Sequence, residues 1–142
     1  MDSSQNLSAE QTALLQKFSQ LSEGLLFPSE ADNPIEAFFW DLDATDPINA
    51  DRVLEALGKP KDTPIETEDL IEFFRVVTPA QDYFDEQQQA EAPRFQALME
   101  ALLENLEDVT VFRVGEIQIQ AYAVGSTRFG GFAGIRTLLI ET

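Results

Sequence analysis

Val109-Thr110-Val111-Phe112-Arg113-Val114-Gly115-Glu116-Ile117-Gln118-Ile119-Gln120-Ala121-Tyr122-Ala123 is the stretch that decides the fold. Its period is two. Val109, Val111 and Arg113 alternate with Thr110, Phe112 and Val114, and Ile117, Ile119, Ala121 and Ala123 share a face. An extended chain sends successive side chains to opposite faces, so this is the pattern of paired strands. Gly115-Glu116 marks a tight hairpin turn between them. Ser126 to Gly131 then reads as a loop, and Phe132 to Ile140 as a last strand.

Upstream of this run the period is helical. Leu14, Phe18, Leu21 and Leu25 form one apolar stripe, with Ser8 and Gln11 at capping-box spacing before it and Gly24 after it. Pro34 opens an apolar segment, residues 35–40, that reads as one largely buried strand. Asn49 caps a short helix carrying Val53, Leu54 and Leu57, with Gly58 as its stop. Thr67, followed by Glu68 and Asp69, suits the start of another helix that buries Leu70, Phe73 and Phe74. Thr78-Pro79-Ala80-Gln81 carries a start signal: a Thr cap, a Pro at the first helical position and a Gln that reaches back. The longest helix is expected from about Asp85 or Pro93 to Leu106, with Pro93 either opening or bending it. The expected fold is α+β: a three-layer α/β/α sandwich, its mainly antiparallel sheet of about four strands covered by helices. Residues 1–142 are expected to form one domain, with 1–7 as a flexible N-terminus.

The chemistry of the surface is set by charge. Nine basic residues face 26 acidic ones, a net −17, and there is no histidine and no cysteine. The charge is uneven: residues 1–108 hold 24 acids and six bases, a net −18, whereas 109–142 hold two acids and three bases, a net +1. Such an anion repels nucleic acid and membrane surfaces and is steered towards basic partners. It has no imidazole base, thiolate nucleophile or soft-metal site. No disulfide is possible, no basic N-terminus leads into an apolar run, and no apolar stretch approaches the roughly 18 residues of a membrane span. A cytoplasmic protein is expected, monomeric through self-repulsion and without a cofactor.

Most candidate motifs dissolve into ordinary structure. Asp41, Asp43 and Thr45 resemble the opening of a calcium loop, but Asp46 stands where glycine is needed and Arg52 where the bidentate glutamate belongs. They are read as an acidic turn before a helix. Arg128-Phe129-Gly130-Gly131 is a lone Arg-Gly unit without the clustered bases that bind phosphate, so it reads as a strand connection. Paired carboxylates mean little among so many acids, and Ser29 has no base partner in sequence; no catalytic residue is assigned. Two places stand out. Glu30 lies in a short loop between a helix and a strand, where binding residues are often held. The apolar strand Leu138-Leu139-Ile140 runs to within two residues of the end, so Glu141 and Thr142 are expected to be held; so held, they could offer oxygen ligands to a hard cation, although a polar strand end is the commoner reading.

Several ordered blocks then carry a family resemblance: Gly24-Leu25-Leu26-Phe27-x-Ser29-Glu30, Pro34-x-Glu36-x-Phe38-x-Trp40, Thr78-Pro79-x-Gln81-Asp82, Phe95-Gln96-x-Leu98, Arg113-x-Gly115-Glu116, Ala133-Gly134-Ile135 and Glu141-Thr142. Together they resemble the nuclease A inhibitor family. The resemblance implies an α/β/α sandwich with an antiparallel sheet, and a 1:1 complex with a sugar-nonspecific DNA/RNA endonuclease. It also implies roles. Glu30 would engage the enzyme's active-site cleft, Thr142 would reach the enzyme's hydrated magnesium, and Asp82 would be a neighbouring acidic contact. Tyr83 stands where a family member carries Trp, and would serve as an aromatic anchor; Pro28 stands where that member has Met. No metal site of its own is implied. Two other readings compete with an inhibitor: an acidic adaptor for a basic protein that is not a nuclease, and a carboxylate-based metal-dependent hydrolase, which tight binding of a divalent metal by the isolated chain would favour.

Overall fold

The computed structural model describes residues 7–142. Among the described residues there are four helices, α1 (Ala9–Ser22), α2 (Ala50–Ala56), α3 (Leu70–Phe74) and α4 (Glu86–Asn105), and seven strands. β1 (Leu26–Phe27) and β2 (Asn33–Pro34) form a two-stranded ribbon. β3 (Glu36–Trp40), β4 (Ile65–Glu68), β5 (Leu106–Val114), β6 (Gln118–Thr127) and β7 (Phe132–Ile140) form an antiparallel sheet of order β3-β7-β6-β5-β4. Among the described residues no helix is long and apolar enough to cross a membrane.

The late hairpins form as their alternation demands. β5 pairs with β6 (Arg113 opposite Ala121), and β6 with β7 (Ala123 opposite Ile135). Gly115 makes the first turn possible: its φ is 106°, and a Cβ there would lie 2.5 Å from the Gln118 carbonyl oxygen. Both faces of the sheet are apolar. Val111, Ile119, Ala121, Ala123 and Ile135 face Leu14 and Phe18 of α1, Phe73 of α3 and Leu98 of α4. Phe112, Tyr122, Val124 and Phe132 face a smaller cluster with Val53 and Leu54 of α2. Four rings, Phe27, Phe73, Phe74 and Phe95, knit β1, α3 and α4 together, with Phe27 stacked on Phe73 at 4.5 Å.

Three expectations need correction. The sheet has five strands rather than about four, because residues 65–68 pair with β5 (Ile65 opposite Val114). Thr67 therefore lies in a strand, and Asp69 caps α3 by accepting from the N–H groups of Ile71 and Glu72. No helix starts at Thr78-Pro79; α4 begins at Glu86, where Asp85 and Gln88 cap each other's backbone reciprocally. Of the two readings of Pro93, opening the helix is excluded, since it lies inside the 20 residues of α4. By contrast, the boxes at Ser8–Gln11 and the cap at Asn49 form as read. Leu7, expected within a flexible N-terminus, is partly buried against the larger cluster. Residues 1–6 of that expected segment lie outside the described residues.

Candidate functional site

The β1–β2 ribbon leaves Pro28 to Asp32 as a loop, and that loop is fastened to the end of β7. The Ser29 hydroxyl donates to the Ala31 carbonyl at 2.7 Å and accepts from the Ile140 N–H at 3.0 Å. The Glu30 N–H donates to the Ile140 carbonyl at 3.1 Å. On the other side of the same tail, the Glu141 N–H donates to the Ile117 carbonyl at 3.0 Å. The next N–H returns to the loop side: Thr142 donates its N–H to Glu30 Oε2 at 2.7 Å and its hydroxyl to Glu30 Oε1 at 2.6 Å. The tail beyond the sheet is thus held alternately by the loop and by the β5–β6 turn.

These bonds set the charge state of Glu30. The Thr142 hydroxyl, and after it the Thr142 N–H, hold the carboxyl below the ordinary glutamate range, outweighing a small opposing desolvation. Glu30 is therefore anionic throughout the neutral range. The Glu141 carboxylate lies 2.6 Å from Arg113 Nη2, and Arg113 Nη1 lies 3.7 Å from Glu68 Oε1. Phe27, Phe73 and Val76 line an open groove of about 360 Å³ beside these acids.

Of the sequence-assigned residues, Glu30, Glu141 and Thr142 come together at one end of the sheet. Asp82 and Tyr83 occupy a separate turn before α4, closed by Phe84 N–H donating to the Gln81 carbonyl at 3.0 Å. Tyr83 is 79% exposed, edge-on to the buried Phe84 ring at 5.2 Å. Asp82 is exposed and makes no ion pair among the described residues. Among the described residues no hydrogen bond or ion pair joins this turn to Glu30. The two places are related through Pro28 and Val76, which line both the first groove and a second one that Phe84 floors.

Sequence reasoning passed over Ser29 as a structural clip and Arg113 as the partner of Glu141. The signal for Arg113 was present, since it is the single charge in the alternating run from Val109 to Val114. Exposed Val76 and Ile117 carried no comparable signal.

The rejected motifs are accounted for. Arg52 donates to the carbonyls of Asp43 and Asp46 at 2.5 and 3.1 Å, so a guanidinium occupies the turn that a calcium ion would need. The Asp43 carboxylate accepts from the Thr45 N–H at 3.0 Å, which chiefly lowers its pKa. The Phe129 and Gly130 carbonyls accept from the Gln11 side chain, tying the last strand connection to α1. Among the described residues no group of three or more acidic, His or Cys side chains could hold a metal ion. The family model for nuclease A inhibitor-like proteins matches residues 12–142. No curated protein matches the chain.

Proposed function

Because the chain belongs to the nuclease A inhibitor-like family, we propose that it is a protein inhibitor of a sugar-nonspecific, metal-dependent endonuclease and not itself an enzyme. It enters the active-site cleft as a folded anion, one copy per enzyme. The observation that carries this reading is the pairing of exposed Glu30 with exposed Thr142 through bonds of 2.7 and 2.6 Å.

The chemistry is that of a substrate mimic. A nuclease cleft is basic and holds a divalent ion because it must bind polyphosphate. Glu30 spends one lone pair of each carboxylate oxygen on Thr142 and keeps the others for a basic group of the enzyme. The Thr142 hydroxyl donates its hydrogen bond to Glu30, so its own oxygen remains an acceptor for a water on the enzyme's magnesium, an ion that keeps several waters when bound by protein. The pair is assembled before the enzyme arrives, so little ordering entropy is lost on docking. Asp82 extends the acidic face, and the largely exposed ring of Tyr83 is the anchor that buries apolar area. We read the two helix-covered faces of the sheet as an α/β/α sandwich, the rigid body that carries these groups.

Mixing the protein with a nonspecific endonuclease and following plasmid degradation tests the reading. Inhibition at stoichiometric ratio is expected, and undiminished cleavage in the presence of excess protein would overturn it. Glu30→Ala, or removal of Thr142, is expected to weaken inhibition roughly ten- to a hundredfold, as loss of a charged hydrogen bond implies. Circular dichroism of both variants should remain that of the parent.

A further inference from the structure

We propose that Arg113 is the positioning residue of this site: through its ion pair with Glu141 it holds the tail so that Thr142 meets Glu30. The inference rests on the reading of Glu30 and Thr142 as the contact group, but its geometry is independent of any partner. Ile140 is the last residue in the ladder with β6. Beyond it the tail is held by the Glu141 N–H on Ile117, the Glu141 carboxylate on Arg113, and Thr142 on Glu30. Only the middle hold is an ion pair, and it starts from a rigid base. Arg113 sits in β5 with strands on both sides, opposite Glu66 of β4 and Ala121 of β6. Its side chain is only 19% exposed.

The fork of the guanidinium explains how it aims. One nitrogen lies 3.7 Å from Glu68 Oε1, a buried oxygen with no hydrogen-bond partner among the described residues, while the other grips Glu141 at 2.6 Å. Glu68 orients the fork and Glu141 receives it. Among the described residues Arg113 is also the one basic residue lining the groove, against Glu30, Glu68, Glu72 and Glu141. Without it, like charges face one another and the tail is the element free to move away.

The test uses the full chain carrying Arg113→Gln, Arg113→Lys or Glu141→Gln. Hydrogen exchange of the Thr142 amide, followed by NMR, is expected to quicken roughly tenfold in Arg113→Gln and Glu141→Gln, because the N–H bond to Glu30 is no longer enforced. Arg113→Lys should fall between, since one ammonium cannot serve both carboxylates. Unchanged amides at Val111 and Ala121 show that the sheet is intact. An intact sheet with parental Thr142 exchange in both neutral variants overturns the proposal. Should Arg113→Gln fail to fold, Glu141→Gln decides alone, because it cuts the same pair at an exposed residue. A second arm asks whether Arg113 acts through Thr142. In a chain lacking Thr142, Arg113→Gln should weaken inhibition by less than about twofold, while a full multiplicative loss assigns Arg113 an independent contact and overturns the positioning role. If the parent does not inhibit at all, the functional reading falls, and the exchange measurement still decides the role of Arg113.

Discussion

Glu30 accepts two hydrogen bonds from one residue 112 positions away. Its folded pKa is depressed, so the stabilisation is present above the ordinary glutamate range and is lost as pH falls through the depressed value. Acid should therefore release the tail, and neutral or alkaline pH should not. A carboxyl-carbon NMR titration is expected to place the Glu30 midpoint below that of an ordinary glutamate. Thr142→Ala should raise it part of the way, because the hydroxyl is the larger cause and the N–H remains. A parent midpoint at the ordinary value would contradict the pairing. At this scale the sequence marked both residues, Glu30 by its loop and Thr142 by the strand running to it. Their mutual bond was not legible. It depends on Ser29 clipping Ile140, a contact between residues 111 apart that no local pattern encodes.

Elements whose period was long were read correctly, whereas two helix starts placed on short local signals, at Thr67 and at Thr78, were not. β5 and β6, nine and ten residues long, form the hairpin that the alternation from Val109 to Ala123 predicts. β4 has only four residues, Ile65-Glu66-Thr67-Glu68, and its last two mimic the start of a helix; pairing along β5 overrides that local signal. Likewise Thr78-Pro79 offered a cap, but the Asp85–Gln88 box satisfies two backbone groups at once and sets the start of α4. Two stability measurements belong at this scale. A Cβ on Gly134 would sit 1.7 Å from the Ala123 carbonyl oxygen, inside the β6–β7 ladder. Gly134→Ala should lower the unfolding free energy by about 3 kcal/mol in a urea titration, the upper end of overpacking costs. Pro93 is exposed inside α4, where it removes one helical N–H. Pro93→Ala should therefore raise stability by about 1–3 kcal/mol in the same titration, and no gain would mean that neighbouring contacts already absorb the cost.

The whole molecule is an anion with an apolar interior, and the sheet explains the partition of its charge. Strands buried on both faces have little room for charge, so β5 to β7 carry few acids while the helices, loops and the edge strands β3 and β4 carry the rest. Attraction to a basic cleft would then act at long range. Stopped-flow mixing with the endonuclease should show the association rate falling at least about tenfold between 50 and 500 mM salt, with a smaller change in dissociation. A salt-independent association rate would mean that charge does not guide the encounter. The position of Trp40 has a practical consequence. It is the sole indole of the chain, packed 4.7 Å from Phe38 and 5.5 Å from Tyr122. It lies opposite Phe132 at the far end of β7 from Ile140, about 27 Å away at a rise of roughly 3.4 Å per residue. Intrinsic fluorescence should therefore follow collapse of the smaller cluster and stay almost blind to events at the tail. With no native thiol to compete, one cysteine introduced near Thr142 would accept a second dye, giving unfolding and docking separate optical channels in the same sample.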